Sequence, residues 1–194
     1  MGGDCSDYPE DDMEIIELGD STGVFINGFS SHIQEIEKFL KEDALKQAKE
    51  GINRTFLWMS RSGKRIIGYI TICADSISLD KVQKEEMIRR GINYKSLPAL
   101  KIGRMGVQKG FCRRGIGTKM IAFAVRRAVM VHKISACRFI TLDAKNEEEI
   151  PESLKPIHFY KRMDFEILKT KQKSKVAHMY RDLFAIIRAE ENKH

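Results

Sequence analysis

Apolar and polar residues along the chain change period several times, and those changes mark out its elements. Met13 to Leu18 reads as a first strand, preceded by residues 1–12, an acidic lead expected to be disordered. From Ser30 to Lys49 apolar residues recur at helical spacing. Ile33, Ile36, Phe39, Leu40 and Ala44 share a face, with Ser30 or Ser31 as N-cap and Gly51 as the stop. Thr55–Met59 and Arg65–Ala74 are expected strands of a hairpin turned by Arg61-Ser62-Gly63-Lys64. Asp80–Arg90 reads as a charged helix closed by Gly91, and Leu97–Val107 as a fourth strand. Gly115–His132 is apolar nearly all round (Ile116, Met120, Ile121, Phe123, Ala124, Val125, Ala128, Val129), which predicts a central helix. Cys137–Leu142 follows as a short buried strand and Leu154–Met163 as a helix. Phe165–Lys169 and Val176–Leu183 form a last hairpin across the basic turn Lys171-Gln172-Lys173-Ser174-Lys175. The order β-α-β-β-α-β-α-β-α-β-β predicts a mixed α/β sheet, and the length fits one domain over residues 13–194.

Charge changes this picture because it is unevenly placed. Ten of the 27 acids lie in residues 1–37, which hold no Lys or Arg. The remainder sets all 34 bases against 17 acids, a balance that attracts polyanions such as RNA and nucleotide phosphates. A lysine-rich surface alone, or a high-temperature organism's composition, gives the same figures. No apolar run approaches the ~20 residues of a membrane span, and the N-terminus lacks the basic start and apolar stretch of a signal peptide. Cys5, Cys73, Cys112 and Cys137 are scattered, with no Cys-x-x-Cys pair and no His at zinc spacing. The expectation is a cytoplasmic protein with reduced thiols, no metal and no membrane partner.

The candidate chemistry starts at Val107-Gln108-Lys109-Gly110-Phe111-Cys112-Arg113-Arg114-Gly115-Ile116-Gly117-Thr118. A strand leads in, a glycine- and arginine-rich loop follows, and a helix begins at once. Loop amides and the positive helix N-terminus then converge on one spot, a cradle for phosphate that Gly115 and Gly117 leave open to close approach. The spacing is wrong for a Walker loop, and Gly110, Gly115 and Gly117 do not fit G-x-G-x-x-G. Further on, Phe159-Tyr160-Lys161-Arg162-Met163-Asp164-Phe165 forms an aromatic cluster around one phenol.

These two stretches resemble, in order and spacing, the two motifs of the GNAT superfamily, the GCN5-related N-acetyltransferases. Cys112-Arg113-Arg114-Gly115-Ile116-Gly117 resembles its pyrophosphate loop, Gln/Arg-x-x-Gly-x-Gly/Ala, with Cys112 where Gln or Arg is usual. Phe159-Tyr160 to Phe165 resembles its closing Phe-Tyr-x-x-x-Gly-Phe, with Asp164 in place of Gly; Asp is among the residues that tolerate a left-handed backbone. The resemblance implies a mixed, mostly antiparallel central sheet of about seven strands flanked by helices. It also implies acetyl-CoA as cosubstrate. The backbones of Met105 and Val107 would pair with the pantetheine arm. Cys112, Arg113, Arg114, Gly115, Gly117 and Thr118 would hold the pyrophosphate, with Arg113 or Arg114 supplying the charge that Cys112 lacks. Tyr160 would protonate the departing thiolate. That is sound chemistry: a thiolate of pKa ~8.5 leaves better when a hydroxyl of pKa ~10 donates to it. Packing against Phe159 and Phe165 is the structural reading of the same tyrosine.

Tyr94–Val107, Ala136–Ala144, Phe39-Leu40 with Asp43-Ala44, and Ala74–Leu79 look like the GNAT toxins of toxin–antitoxin pairs. That branch implies acetylation of the α-amine of aminoacyl-tRNA, a small DNA-binding antitoxin as partner, and a homodimer. Protein N-termini or small amines are the alternative acceptors, and a non-catalytic CoA-binding module is the alternative class. No general base stands out. Asp75 and Asp143, at the ends of the third and fifth strands, are the acids nearest the expected cleft, and a turn or cap role explains each better than a base does. An α-amine, with pKa ~7.7, is about a third neutral near pH 7.4, against ~0.1% for a lysine amine, so a site without a strong base suits the former. Cys112 reads either as a thiol activated at a helix N-terminus or as a passive loop residue. His158 reads as a helix-surface residue, and Asn146 as a CoA contact implied by the resemblance.

Overall fold

The computed structural model describes residues 7–145, 156–168 and 176–192. Seven strands form one sheet: β1 (Met13–Glu17), β2 (Arg54–Ser60), β3 (Arg65–Ile77), β4 (Leu97–Val107), β5 (Phe139–Lys145), β6 (Glu166–Ile167) and β7 (Val176–Asp182). Their order is β1-β2-β3-β4-β5-β7-β6. Pairing is mostly antiparallel: β1 with β2, β2 with β3, β5 with β7 and β6 with β7. Between β4 and β5 runs a 20-residue helix, the crossover length that a parallel neighbour requires. The remaining helices are α1 (Gln34–Lys38), α2 (Ala44–Lys49), α3 (Lys81–Arg89), the crossover α4 (Ile116–Ser135), α5 (Pro156–Lys161) and α6 (Phe184–Glu191). Among the described residues no helix is long and apolar enough to cross a membrane.

By its internal contacts the chain divides into two compact units. The first runs to Cys73 and includes Ile102–Phe123; the second takes Ala74–Lys101 and the chain from Ala124 on.

In the first unit, Leu18, Leu40, Ala44, Leu57, Met59 and Tyr69 close one core. Phe56 and Trp58 meet Phe123 edge-on at 4.9 and 5.1 Å. The buried Tyr69 hydroxyl donates to the Ile36 carbonyl at 2.6 Å, pinning α1 to the sheet. The expected helix over Ser30–Lys49 is shorter and interrupted: Phe39–Asp43 make a π-helical turn between α1 and α2. Ser30 and Ser31 are not its cap. Ile33 stands at the N-cap without a side-chain bond, and Ser31 Oγ instead accepts from the Ile33 amide at 3.2 Å. A 3₁₀ segment, Asp20–Gly28, precedes it; its weak periodicity gave no sequence signal. Gly106 lies where α1 crosses β4. A Cβ there would sit 2.4 Å from Ile36 Cγ2 and 3.0 Å from the Tyr69 ring, so only glycine fits.

Residues 7–12, expected to belong to a disordered lead, are packed against this unit. Tyr8 is 7% exposed, with its ring 5.4 Å from that of Phe111. Its amide donates to the Arg114 carbonyl at 3.0 Å, and its hydroxyl to Asp12. Asp12 also accepts from Ser60 Oγ at 2.9 Å and from the Ser62 amide at 2.8 Å, which fixes the β2–β3 turn. An acidic composition forecast disorder; one aromatic anchor and one carboxylate with several donors overcome it.

In the second unit, Ile77, Met87, Leu97, Ala99, Phe139 and Tyr180 form the core. Asp80 caps α3 by accepting from the Gln83 amide at 2.9 Å, and the Gln83 side chain returns the bond at 3.2 Å. Arg138 makes a two-pronged pair with Asp182, at 2.7 Å through one terminal nitrogen, and holds β5 to the end of β7. β5 begins two residues later than expected and runs on through Lys145, so Asp143 lies within the strand rather than at its end. The basic turn Lys171–Lys175 lies outside the described residues.

Candidate functional site

The first unit carries the glycine loop. β4 delivers Met105 and Val107, both half-buried, to its end. The chain then turns at Gln108. Its side chain accepts from the Ser30 amide at 2.7 Å, and the Lys109 amide donates to the Ser30 carbonyl at 2.9 Å. The Phe111 amide closes a turn on the Gln108 carbonyl at 3.0 Å. Arg113 and Gly115 take left-handed backbone, with φ of 62° and 72°. This curls the loop into the first turn of α4, where the Lys119 amide bonds back to the Gly115 carbonyl at 3.1 Å. The amides of Ile116, Gly117 and Thr118 therefore belong to a first turn that has no intrahelical acceptors, at the positive end of a long helix.

A carboxyl group stands beside Gly115. Asp7 Oδ1 lies 2.7 Å from where a Cβ on Gly115 would be. Beside it, the Arg114 guanidinium lies 5.3 Å from the centre of the Tyr8 ring, and Lys119 pairs with Glu10 at 2.5 Å. A loop that takes a carboxylate over Gly115 has the shape and polarity for a phosphate oxygen. Arg113 is exposed. Cys112 is not activated. Its sulfur contacts the Gln108 carbonyl at 3.8 Å, and burial pushes the thiol up despite the opposing pull of Arg113. Cys73, Cys112 and Cys137 are free thiols.

The second unit carries Tyr160 on α5. Its ring meets those of Phe159 at 5.3 Å and Phe165 at 5.9 Å, and its carbonyl accepts from the Phe165 amide at 3.1 Å. The turn between them passes through Asp164 at φ 62°, the left-handed position that the usual glycine of this motif serves. Arg181 holds the Asp164 carboxylate at 2.9 Å. Burial pushes the Tyr160 hydroxyl up to about 12, so the phenol keeps its proton throughout the neutral range. His158, on the same helix, is half-exposed. Asn146 lies outside the described residues.

A cavity of about 190 Å³ also lies in the second unit, with Asp75, Lys101, Thr141, Asp143 and His178 among its lining. The two acids marked in the sequence thus meet in one place, and they bring partners that the sequence did not reveal. Thr141 Oγ1 donates to Asp75 at 2.5 Å. Asp143 is held on both sides, by Lys101 Nζ at 2.7 Å and His178 Nδ1 at 2.6 Å. Burial works against the Asp143 charge, but the bonds from Lys101 and His178 outweigh it and keep the carboxyl below its ordinary value. Asp143 and His178 are cross-strand partners, as are Thr141 and Tyr180, which puts all four side chains on one face. Among the described residues no group of three or more His, Cys, Asp or Glu is placed to hold a metal ion.

A family model described as an acetyltransferase (GNAT) domain matches residues 53–167, more than half of the chain. Among solved structures, a tyrosine-to-phenylalanine mutant of KacT superposes with a TM-score of 0.71 at 20% identity, over 94% of this chain and 99% of that one. AtaT complexed with acetyl-methionyl-tRNAfMet gives 0.73 at 18% identity, over 92% and 99%. A tyrosine-to-phenylalanine mutant of the AtaT toxin, bound to the C-terminus of the antitoxin AtaR and to acetyl-CoA, gives 0.71 at 16% identity, over 92% and 98%. At these identities the likeness is one of fold.

Proposed function

Because the chain belongs to the GNAT acetyltransferase family, we propose that it transfers acetyl from acetyl-CoA to a primary amine by direct attack on the thioester. The observation that carries this reading is the loop before α4, with left-handed backbone at Gly115 and a carboxylate lying over it at the head of a long helix. The amides from Cys112 to Thr118 and the charge of Arg113 and Arg114 hold the pyrophosphate. The backbones of Met105 and Val107 pair with the pantetheine amides. The amine's lone pair forms the new C–N bond as the C–S bond breaks. Tyr160, protonated in its apolar setting, gives its proton to the leaving sulfur.

For the acceptor, the reading is the α-amine of aminoacyl-tRNA. A polycationic body supports it, since residues 38–194 set 34 bases against 17 acids. So does the solved complex of AtaT with acetyl-methionyl-tRNAfMet. By the same token a small antitoxin is the expected protein partner, as AtaR is for AtaT. A homodimer and a reducing, cytoplasmic setting complete the reading; the free thiols Cys73, Cys112 and Cys137 suit the latter. Protein N-termini and small amines are the second class of acceptor.

The test is a transfer assay with labelled acetyl-CoA and with charged or deacylated total tRNA. Label on charged tRNA alone is the expected result. Label on peptides or polyamines but not on tRNA keeps acetyl transfer and removes the tRNA assignment.

A further inference from the structure

The acetyl-transfer reading leaves one chemical need unmet. An α-amine of pKa ~7.7–8.0 is largely an ammonium at neutral pH, and an ammonium has no lone pair with which to attack. For the ammonium fraction to react, a group has to take its proton where the reaction occurs.

The cavity of the second unit has the components. Its volume of about 190 Å³ is well above the ~10–15 Å³ that one water needs, so it admits a group such as the amine end of an amino-acid moiety. Two carboxylates, Asp75 and Asp143, face one ammonium, Lys101, and one imidazole, His178; the excess charge is negative and favours an incoming cation. The Glu166 carboxylate of β6 accepts from the Tyr180 hydroxyl at 2.8 Å.

The tautomer of His178 follows from its partner. An ionised carboxylate only accepts, so the ring nitrogen 2.6 Å from Asp143 must carry the hydrogen. With Nδ1 engaged in this way, Nε2 is the ring nitrogen left to take a proton, on a side chain 49% exposed. Lys101 holds the other oxygen of Asp143 at 2.7 Å and so fixes the carboxylate that orients the ring. A proton acceptor aimed by a carboxylate is the arrangement that general-base catalysis requires.

We infer that this cavity receives the acceptor's ammonium group and that His178, oriented by Asp143 and Lys101, is the general base of the transfer. The inference rests on the acetyl-transfer reading above. The ammonium gives one proton to His178 Nε2. The neutral amine then forms the C–N bond and expels the thiolate, which takes the proton of Tyr160. The amide nitrogen sheds its surplus proton to the cavity's solvent. His178 and Tyr160 return to their starting states by exchange with water.

The experiment is kcat/KM for transfer to charged total tRNA from about pH 6 to 8.5, on wild type, His178→Gln and Asp143→Asn, with acetyl-CoA affinity measured by calorimetry. For His178→Gln a loss of about 3- to 10-fold is expected at neutral pH, the reciprocal of the amine's neutral fraction there, with acetyl-CoA affinity unchanged. Its rate should fall about tenfold per pH unit below the amine's own pKa, where the wild-type rate falls off only at lower pH. Asp143→Asn should show a smaller loss with the same change of profile. A His178→Gln rate equal to wild type, or a loss of the same size at every pH, overturns the base assignment and leaves acetyl transfer standing. Wild-type protein that binds acetyl-CoA and acetylates nothing overturns the acetyl-transfer reading, and the base assignment with it.

Discussion

The carboxylate of Asp7 lies over Gly115, with one oxygen 2.7 Å from the point a Cβ on that glycine would occupy. An acidic N-terminal segment is thus seated on the loop proposed to hold the pyrophosphate. The Asp7 carboxylate and a phosphate on this loop would compete for the space over Gly115. Asp7→Asn should therefore tighten acetyl-CoA binding by about 2- to 5-fold, the equivalent of the 0.3–1 kcal/mol typical of a charge at a helix terminus. Calorimetric titration at two salt concentrations checks this, and the gain should shrink as salt rises.

Gly115 itself has little freedom to change. Its φ of 72° disfavours any side chain, and a Cβ would meet the Asp7 carboxylate. Gly115→Ala is expected to cost about 1–2 kcal/mol of stability and to weaken acetyl-CoA binding beyond that of any single loop arginine replaced by alanine. Urea unfolding and calorimetry separate the two effects.

On β4, Gly106→Ala should destabilise by about 1–3 kcal/mol, because the added methyl is set against Ile36 and the Tyr69 ring, which are both packed. Pairing the change with Ile36→Val should restore part of the loss, since the shorter side chain removes atoms near the clash. Equal thermal unfolding of Gly106→Ala and wild type would count against the crossing of α1 over β4 described above.

Asp143 ties stability to pH. Its folded carboxyl is held below the ordinary value of 3.8, so its contribution is fully present above that value. It is lost as pH falls from there through the lowered folded value. Asp143→Asn should be less stable than wild type at pH 7, and the two unfolding curves should converge in strong acid. A constant gap across the acid range would mean that the ion pairs with Lys101 and His178 contribute nothing through this charge.

Much of this was legible in the sequence, for a local reason. The β2–β3 hairpin, the apolar helix α4 and the loop between β4 and α4 are each specified by residues adjacent in the chain. Period and glycine placement suffice for them. Asp164 at φ 62° is another such case, because a short-range turn chose the residue. What escaped depends on distant residues. His178 reveals its partner only once the register pairs it with Asp143, and Lys101 only once β4 is in place. The packing of residues 7–12 was hidden because composition argues for disorder, while Tyr8 and Asp12 find partners that only the folded sheet presents. The π-helical turn at Phe39–Asp43 leaves the apolar spacing almost intact, so periodicity read one continuous helix.

The central claim is that this chain moves acetyl to an amine with Tyr160 as the acid. Single-turnover transfer from acetyl-CoA, run on wild type and Tyr160→Phe with affinity measured alongside, tests it most directly. The account predicts a mutant that binds acetyl-CoA as wild type does and transfers about 10²- to 10⁴-fold more slowly. A mutant that transfers at the wild-type rate would contradict it.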